Sequence, residues 1–579
     1  MLLTKTYSFR NFREKFHKVN PTILLVFLFI ITFLPNIIVY NRTHAAGDIA
    51  EYINNPLRII YGELPYRDFW LIFPPGEVFL PAFIYKVFGL NVNILLALTI
   101  FLNSFISVSS FLVARQIFKD NFFSSVATIL VIFNGLRHYG GFIYIHVYFL
   151  FLLISAFFLL RYLKDEKLIN LFLTGVFLGL ASFFKLYEVG AASLSFLLLV
   201  LIWAKLEKKK IKSIATMLFI LFAGSFLFPV ITSIILIDIW KEMLRWVLIE
   251  SISHGTSMNL PYFTDSRWYL DRILEDFGSI KVGYYYKIRL FHDIIGLIYT
   301  TTSYLLPFII LATSIFYLLY GRYLKNERYI IMLFLLWGFF TFPKSFGRSD
   351  MSHLVISINP LFFLVVFFLW KSMQDFNKNL FNKVLRSAYA IITLLLLLSV
   401  PHFFIYIAFQ LKTYRHPVEA KYGTLLFKDH SDAENVNAVI KYIDENTNEG
   451  DYIFVTPWFA PPLYALTNRR NPTYYDSLID PIVLPSEEKQ LKICDDLLRK
   501  NTKLVIHYPD FGYSAGHFMS SCPMLQKCIE DNFDLVVKYG NYWIYKRKEN
   551  RKCGIRMKDI CNRAKNYSVL FAHFVFILV

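Results

Sequence analysis

Apolar segments of about 20 residues recur along this 579-residue sequence and alternate with short segments rich in lysine and arginine. A helix of that length crosses the hydrocarbon core of a bilayer. The chain is 56% hydrophobic and 18% aromatic, more than the cores of a soluble protein of this size require. Because the basic residues lie between apolar segments, the net charge of +18 is a topology signal and predicts no nucleic-acid partner. We predict a polytopic α-helical membrane protein.

The basic clusters predict how the chain crosses the membrane. They are Lys5–Lys18, Arg115–Lys119, Arg161–Lys167, Lys205–Lys212, Arg322–Arg328 and Lys371–Arg386. Positive clusters favour the cytoplasmic side, so each interval between them holds an even number of crossings. This predicts about eleven helices, the first of them retained, with a cytoplasmic N-terminus and an extracytoplasmic C-terminus. The predicted spans are 21–40, 92–114, 121–136, 143–163, 168–184, 189–204, 213–238, 292–320, 329–343, 353–370 and 388–411.

Two segments on the predicted outer side are long, 41–91 and 239–291. The first contains an apolar stretch, Trp70–Lys86, which is interrupted by prolines and includes Glu77. Prolines and charges favour a helix that lies in the membrane interface over one that crosses. The alternative, a crossing, would invert the side of every later basic cluster. The transmembrane domain is predicted to cover 1–411.

The composition changes at about Lys421, where patterns of a soluble domain begin. An amphipathic helix is predicted at His430–Asn446. Buried strands are predicted at Asp451–Thr456, Lys503–His507 and Phe533–Lys538. We predict a small extracytoplasmic α/β domain over 421–548, which covers the membrane domain as a structural cap. It contains no nucleophile motif and no glycine-rich phosphate loop, so an independent enzyme is disfavoured.

The tail 549–579 has a basic part and an apolar part too short to span comfortably, and no role is assigned to it. The five cysteines are scattered without a C-x-x-C pair, so they offer no metal or redox motif. Cys522 and Cys528 could form a disulfide in an oxidising compartment, although free thiols are the expected state.

The short predicted outer tips carry an unusual set of ionisable residues. They are Arg137, His138, Lys185, Glu188, Lys344, Arg348, Asp350 and His353. A charged side chain near the hydrocarbon core raises the free energy of the protein, and positive residues are scarce in short outer loops. Each has a structural explanation: a helix anchor, an ion pair between Lys185 and Glu188, or a satisfied interface histidine. Together they favour a bound anion such as a lipid-linked phosphate.

Two acids in the first long segment are candidates for chemistry. Asp48 follows the first helix, and Asp68 lies in Gly62-Glu-Leu-Pro-Tyr-Arg-Asp68. A carboxylate near the bilayer surface can accept a proton from an attacking hydroxyl or bind a divalent ion. The structural alternatives are a helix N-cap for Asp48 and a salt bridge with Arg67 for Asp68.

These motifs, in this order, resemble the GT-C superfamily of polyprenyl-phosphate-sugar glycosyltransferases, in the branch of protein mannosyltransferases and lipid A aminoarabinose transferases. The matching segments, spread over most of 20–548, are Gly47-Asp48, Gly62–Asp68, Phe73–Gly76, Phe88-Gly89, Phe184-Lys185, Gly347–His353 and Tyr464–Arg469. Asp48 is followed by Ile49 where some members have Asp-Glu, and Lys185 by Leu186 where members often have Gln. These departures leave the metal requirement and the lipid contacts open.

The resemblance implies a glycosyltransferase of the hexosyl or pentosyl class in a bacterial inner or plasma membrane. It would move a sugar from a polyprenyl phosphate to an extracytoplasmic glycan, lipid or protein acceptor, with inversion. Asp48 would be the general base, and Asp68 is a second catalytic candidate. Contacts with the lipid phosphate and donor are predicted for Lys185, Arg348, Arg137, His138, Asp350, His353, Tyr66 and Arg67. No cofactor is assigned, although a divalent cation could bind the carboxylates.

Two other functions are compatible with the sequence. The outer cations of a transporter or flippase could bind the phosphate of a lipid-linked glycan in transit, but no internal repeat is present. A non-catalytic scaffold could bind a glycan through 421–548.

Overall fold

The computed structural model describes residues 11–135, 143–250, 260–278, 284–320, 325–374, 380–456, 460–475, 486–508 and 522–548. The tail 549–579 lies outside them. Helices occupy most of the described chain up to Thr413. They are α1 (Asn11–His17), α2 (Pro21–Ile37), α3 (Asp48–Ile60), α4 (Gly76–Phe88), α5 (Val92–Phe118), α6 (Asn121–Asn134), α7 (Ile143–Asp165), α8 (Leu168–Ser182), α9 (Tyr187–Leu206), α10 (Ile211–Ile235), α11 (Trp240–Leu244), α12 (Thr264–Gly278), α13 (Tyr284–Tyr320), α14 (Lys325–Thr341), α15 (Lys344–Gly347), α16 (Met351–Gln374), α17 (Leu380–Leu397) and α18 (Ser399–Thr413).

Within the described residues, eight helices are long and apolar enough to cross a bilayer. They lie at Val92–Phe118, Ile143–Asp165, Tyr187–Leu206, Ile211–Ile235, Ile288–Tyr320, Asn326–Gly347, Met351–Gln374 and Lys383–Thr413. A ninth is obtained if α1 and α2, which meet at 96°, form one bent span. The helices α6 and α8 are apolar but shorter. A helix occupies each predicted span, and the predicted fold class, a helical membrane protein with a small C-terminal α/β domain, is confirmed.

Local signals explain where membrane helices begin and how closely they pack. The Asp120 side chain accepts hydrogen bonds from the backbone N–H groups of Phe122 and Phe123 and so caps α6. A Cβ added to Gly175 of α8 would lie 2.3 Å from the Leu221 carbonyl oxygen of α10. Only a residue without a side chain permits this backbone approach, which is the usual way that membrane helices pack closely.

The segment Asn41–Asn91, here called the first loop, contains α3 and α4. Each helix has 13 residues, which is about 20 Å of helix and too short to cross the hydrocarbon core. The length of α4 therefore agrees with the predicted interface helix at Trp70–Lys86. Between the two helices the chain is irregular, and the Tyr66 hydroxyl donates to the Phe73 carbonyl oxygen at 2.5 Å.

The second long segment, 239–291, also contains short helices where it is described. After α10 the chain forms a 3-10 turn (Ile237–Ile239), then α11 and a π-helical turn (Arg245–Glu250). The helix α12 packs along α13 and brings Asp265 to the start of α16, where its carboxylate accepts from the Met351 backbone N–H.

The described part of the C-terminal domain contains two sheets. A hairpin of β1 (His416–Ala420) and β2 (Gly423–Phe427) precedes α19 (His430–Asn446). The main sheet has the order β3-β4-β6-β5, with β3 and β4 parallel and the other pairs antiparallel. Its strands are β3 (Ile453–Thr456), β4 (Leu504–His507), β5 (Phe533–Tyr539) and β6 (Tyr542–Arg547), and the remaining helices are α20 (Leu463–Thr467), α21 (Glu487–Arg499) and α22 (Pro523–Asn532).

The predicted helix at His430–Asn446 and the three predicted strands are present, but one prediction about burial is wrong. The strand β5 lies at the sheet edge and exposes Asp534, Leu535 and Val536, whereas β4 is buried throughout. The apolar run Leu535-Val536-Val537 is typical of a buried strand. The edge position of β5 follows from its pairing with β6, a strand that the sequence pattern did not predict.

The cysteine prediction is also wrong. A disulfide joins Cys494 of α21 to Cys528 of α22, and Cys522 is buried and lies outside this disulfide. The two bridged residues are 34 positions apart, so they become neighbours only when α21 packs against α22. Sequence spacing contains no information on that contact.

The C-terminal domain packs on the first loop. The backbone N–H of Trp70 donates to the Tyr474 carbonyl oxygen at 2.8 Å, and the Arg58 side chain donates to the Thr473 carbonyl oxygen at 2.9 Å. Buried apolar residues of both segments, such as Phe69 and Phe454, belong to one hydrophobic cluster. The first loop is therefore held between the membrane helices and the C-terminal domain. The division into domains at 411 and 421 stays a prediction.

Candidate active site

Asp48 is the first residue of α3, where the helix begins after Gly47. Gly47 occupies the N-cap with φ 66°, and no side chain caps this end, so the N-cap alternative for Asp48 is wrong. Among the described residues, neither carboxylate oxygen of Asp48 has a hydrogen-bond or ion-pair partner. The side chain keeps an exposed surface although protein surrounds it on most sides, as expected for a group in a recess.

Lys185 lies at the tip between α8 and α9, directly against the first loop. The backbone N–H of Gly76 donates to the Phe183 carbonyl oxygen at 2.9 Å, and a Cβ on Gly76 would approach that oxygen to 2.5 Å. This close contact brings the Lys185 ammonium to 4.1 Å from the centre of the Phe73 ring and 5.1 Å from that of Tyr144. In the part of the chain that the structure describes, no carboxylate forms an ion pair with Lys185.

Arg348 lies on the short connection between α15 and α16. Its Nε donates to an Asp350 oxygen at 2.9 Å, and His353 Nδ1 lies 2.8 Å from the other oxygen of the same carboxylate. The Arg348 side chain is 44% exposed, so the ion pair does not enclose its guanidinium. Asp350 thus orients both Arg348 and His353.

Electrostatics connects these three segments. Burial raises the pKa of Asp48, and the charges of Arg348 and Lys185 oppose that increase. Burial and the charge of Lys344 lower the pKa of Lys185 to about 8. The charges of Glu188, Glu77 and Asp48 act in the opposite direction and raise that pKa. The carboxylate of Asp48 therefore lies within the field of two cations that come from distant parts of the sequence.

The site contains a buried acid that the sequence analysis assigned to the membrane interface. Glu77 lies in the first turn of α4, is 3% exposed, and its Oε2 has no hydrogen-bond partner in the described chain. Burial, followed by the charges of Glu51 and Asp48, raises the pKa of Glu77 well above its usual value, with Lys185 opposing. Its position after Pro74-Pro75-Gly76, in an otherwise apolar stretch, was the available signal.

The predicted ion pair between Lys185 and Glu188 is not present. Glu188, which is 1% exposed, pairs instead with Lys344 from the tip before α16. The pairing joins two of the predicted outer tips and leaves Lys185 without this partner.

Asp68, unlike Asp48, is bound by residues of the first loop. Asp68 forms an ion pair with Arg67 at 2.7 Å and accepts from the Leu64 backbone N–H at 2.8 Å, as the structural alternative predicts. Burial opposes ionisation of Asp68, but hydrogen bonds from Arg67 and Leu64 lower its pKa. The charges that act on it are those of Arg67 and Arg58, and neither is among those that act on Asp48.

Tyr66 is buried, and its carbonyl oxygen accepts from the Tyr474 hydroxyl at 2.9 Å. Like Asp68, it shapes the first loop. Arg137 and His138 lie outside the described residues. No group of three or more His, Cys, Asp or Glu side chains that could hold a metal ion occurs where the structure describes the chain.

Comparison with known proteins gives a match in fold. The crystal structure of ArnT from Cupriavidus metallidurans bound to undecaprenyl phosphate has a TM-score of 0.50 to this chain at 10% sequence identity. The superposition covers 90% of this chain and 97% of ArnT. No family model and no curated protein sequence matches the chain. At this identity the likeness establishes the GT-C-like fold of an integral membrane protein.

Proposed function

We propose that this chain is a membrane glycosyltransferase that moves a sugar from a polyprenyl phosphate to an extracytoplasmic acceptor. The observation that carries the proposal is the partnerless Asp48 carboxylate, which lies within the field of Lys185 and Arg348. The motif resemblance and the fold shared with ArnT, which was crystallised with undecaprenyl phosphate, support it.

The two cations would bind the phosphate of the donor. Guanidinium and ammonium groups are the natural partners of a phosphate. Lys185 contacts aromatic rings rather than carboxylates, and Arg348 keeps part of its guanidinium exposed. The isoprenoid tail would lie between membrane helices, so that the sugar faces the recess of Asp48.

The transfer step follows from this arrangement. The acceptor hydroxyl or amine attacks the anomeric carbon while Asp48 takes its proton, and the bond from that carbon to the phosphate oxygen breaks. The polyprenyl phosphate leaves with the bonding electron pair. Lys185 and Arg348 stabilise the charge that develops on it, and displacement from the opposite face inverts the anomeric centre.

Asp48 alone is assigned as the base. Asp68 is bound to Arg67 and to the backbone of its own turn, so in this proposal it shapes the first loop, as do Arg67 and Tyr66. Asp350 and His353 position Arg348 and do not contact the reacting atoms. Roles of Arg137 and His138 at the phosphate stay predictions.

The orientation is part of the proposal. The basic clusters favour a cytoplasmic N-terminus and an extracytoplasmic C-terminal domain. The disulfide between Cys494 and Cys528 supports this placement, because disulfides persist in oxidising compartments such as the bacterial periplasm or the cell surface.

The test is transfer by the purified chain in lipid vesicles. Undecaprenyl-phosphate sugars labelled in the sugar are supplied with envelope lipids and glycans, and the label is followed by solvent partition. We expect label to move from the carrier to an acceptor for at least one sugar, with release of undecaprenyl phosphate. Label that stays on its carrier but changes leaflet would overturn the proposal in favour of a flippase.

A further inference from the structure

Tyr474, in the C-terminal domain, connects three segments of the chain through three different polar groups. Its backbone N–H donates to the Asp496 carboxylate of α21 at 3.0 Å. Its carbonyl oxygen accepts from the Trp70 backbone N–H at 2.8 Å, and its hydroxyl donates to the Tyr66 carbonyl oxygen at 2.9 Å. The last two bonds hold two points of the first loop, so one residue joins this part of the loop to the C-terminal domain.

Asp496 fixes Tyr474 to a helix that is itself held in place. Asp496 is 5% exposed and lies on the buried side of α21. Two residues earlier, Cys494 joins α21 to α22 through the disulfide with Cys528. Tyr474 is therefore bonded to a cross-linked helix pair.

Tyr66 has a backbone conformation that needs support from its surroundings. Its φ is 66°, in the left-handed region that a bulky residue other than glycine rarely adopts. Such a conformation persists only where neighbouring groups hold it. The Tyr66 backbone N–H donates to the Phe69 carbonyl oxygen at 2.7 Å, and its carbonyl oxygen accepts from Tyr474. The Tyr474 hydroxyl is thus one of the groups that stabilise this conformation.

The conformation of Tyr66 is connected with the candidate active site through Phe73. The Tyr66 hydroxyl donates to the Phe73 carbonyl oxygen at 2.5 Å, and the Phe73 ring lies 4.1 Å from the Lys185 ammonium. On the other side of Phe73, the Gly76 backbone N–H is bonded to the tip between α8 and α9. Phe73 therefore lies between one anchor on the membrane helices and another that leads to Tyr474.

We propose that Tyr474 is a positioning residue of the donor site. Through Tyr66 it holds the Phe73 ring against Lys185, the cation assigned to the donor phosphate. The inference rests on the proposed function, since it concerns the same site. The C-terminal domain then contributes to donor binding and is more than a cover over the membrane helices.

The contact with Phe73 determines how much water reaches Lys185. Burial, followed by the charge of Lys344, lowers the pKa of Lys185 to about 8. A ring that moves away admits water to the ammonium and raises this pKa towards its ordinary value. The position of the ring can therefore be measured as the pH at which Lys185 loses its charge. A role of Tyr474 in stability alone would leave that pH unchanged.

The test uses Tyr474→Phe, which removes the hydroxyl and keeps both backbone hydrogen bonds of this residue. The full chain in lipid nanodiscs is acetylated with trace acetic anhydride from pH 6 to 10, and acetylation of Lys185 is quantified by mass spectrometry. We expect the midpoint of Lys185 acetylation to rise by about 0.5 pH units or more. Tyr442→Phe is the matched control and should leave the midpoint unchanged, because the Tyr442 ring packs on Tyr539 of β5.

The same variant is examined in the transfer assay. We expect the KM for the donor to rise about threefold or more in Tyr474→Phe, with kcat within about twofold of the wild type. If Tyr474→Phe is not recovered folded, Tyr66→Phe removes the next hydroxyl along the same path and should give the same two changes.

Three results would overturn the inference: an unchanged midpoint of Lys185 in the folded variant, an equal shift in Tyr442→Phe, or an unchanged KM. Acetylation needs no substrate, so the two proposals can fail separately. A wild-type chain that transfers no sugar, but whose Lys185 midpoint rises in Tyr474→Phe, removes the glycosyltransferase and leaves the coupling of Tyr474 to Lys185. Transfer by the wild type with an unchanged midpoint in the variant does the reverse.

Discussion

The Lys185 ammonium lies 4.1 Å from the centre of the Phe73 ring, so the tip between α8 and α9 meets the first loop through a cation and an aromatic face. A cation–aromatic contact stabilises the charge without neutralising it. The ammonium therefore remains available to an anion in the recess, which an ion pair with Glu188 would have prevented.

Replacement of Asp48 by Asn is expected to reduce transfer at least about 100-fold, because a positioned general base contributes about that much or more. The side chain has no partner to lose in the described residues, so the thermal midpoint should stay within about 2 °C of the wild type. Initial rates and thermal unfolding in detergent check both points. Normal transfer by a folded variant would remove Asp48 from the mechanism, and Asp534→Asn on the exposed β5 is the control.

We expect the rate of transfer to fall at alkaline pH because Lys185 loses its charge. This fall is the alkaline limb of the pH profile. Because the pKa of Lys185 is lowered by burial, and next by Lys344, to about 8, the cation is lost as the pH rises through that value and donor activity should fall. Lys185→Arg should move the limb to higher pH, since arginine stays charged. Lys185→Met should lower the rate about 100-fold below pH 8, where the wild-type lysine is charged, and by progressively less at higher pH. The measurement is kcat/KM for the donor from pH 6 to 10, and identical limbs for Lys and Arg would contradict the assignment.

Glu77→Gln is expected to stabilise the protein at neutral and alkaline pH. Burial, followed by Glu51, raises the pKa of Glu77, so the folded state retains a proton that the unfolded chain releases. Stability linked to that proton is complete below the ordinary glutamate pKa and is lost as the pH rises towards the folded-state value. The glutamine variant should thus have the higher thermal midpoint at pH 8 and the same midpoint at pH 4. A lower midpoint at pH 8 would show that Glu77 is ionised in the folded protein.

Asp350→Asn should raise the KM for the donor about tenfold with a smaller effect on kcat, because it releases Arg348 from a fixed position. Burial opposes ionisation of Asp350, yet its hydrogen bond with His353 and the nearby charges bring the pKa to about 2. The carboxylate is therefore ionised throughout the working range and should add no limb to the pH profile. An acidic limb that disappears in the Asn variant would contradict this assignment.

The disulfide gives a prediction that needs no substrate. Digestion of the non-reduced protein should yield linked peptides containing Cys494 and Cys528, while Cys522 reacts with a thiol reagent only after unfolding. Cys528→Ser should destabilise the C-terminal domain by about 2–4 kcal/mol. Cys494→Ser should have the same effect, and a linked peptide containing Cys522 would show a different pairing.

The membrane helices could be predicted because hydropathy and the positions of basic residues each follow from the bilayer alone. In the C-terminal domain, His430–Asn446 was predicted with its observed bounds, since its polar and apolar faces repeat with the helical period. The strand β6 was missed although the residues before it, Tyr539-Gly540-Asn541, form a tight turn with Gly540 at φ 53°.

The site was only partly predictable. Sequence places Lys185 and Arg348 at the tips of hairpins, where charge is unfavourable, but it does not show which tips meet. Whether Asp48 or Asp68 meets the cations depends on how the first loop folds between α3 and α4. The burial of Glu77 depends on the contact of Gly76 with Phe183, which joins segments about 100 positions apart.

The position of the first loop has a consequence for how the protein is made. Residues such as Phe69 and Trp70 find part of their packing in Phe454 and Tyr475, which are translated nearly 400 residues later. At about 5–20 residues per second, the ribosome needs on the order of tens of seconds to reach them. During that interval the aromatic side chains of the first loop must contact lipid or a chaperone. Any factor that shields this segment should therefore act early, before the last membrane helix has been inserted.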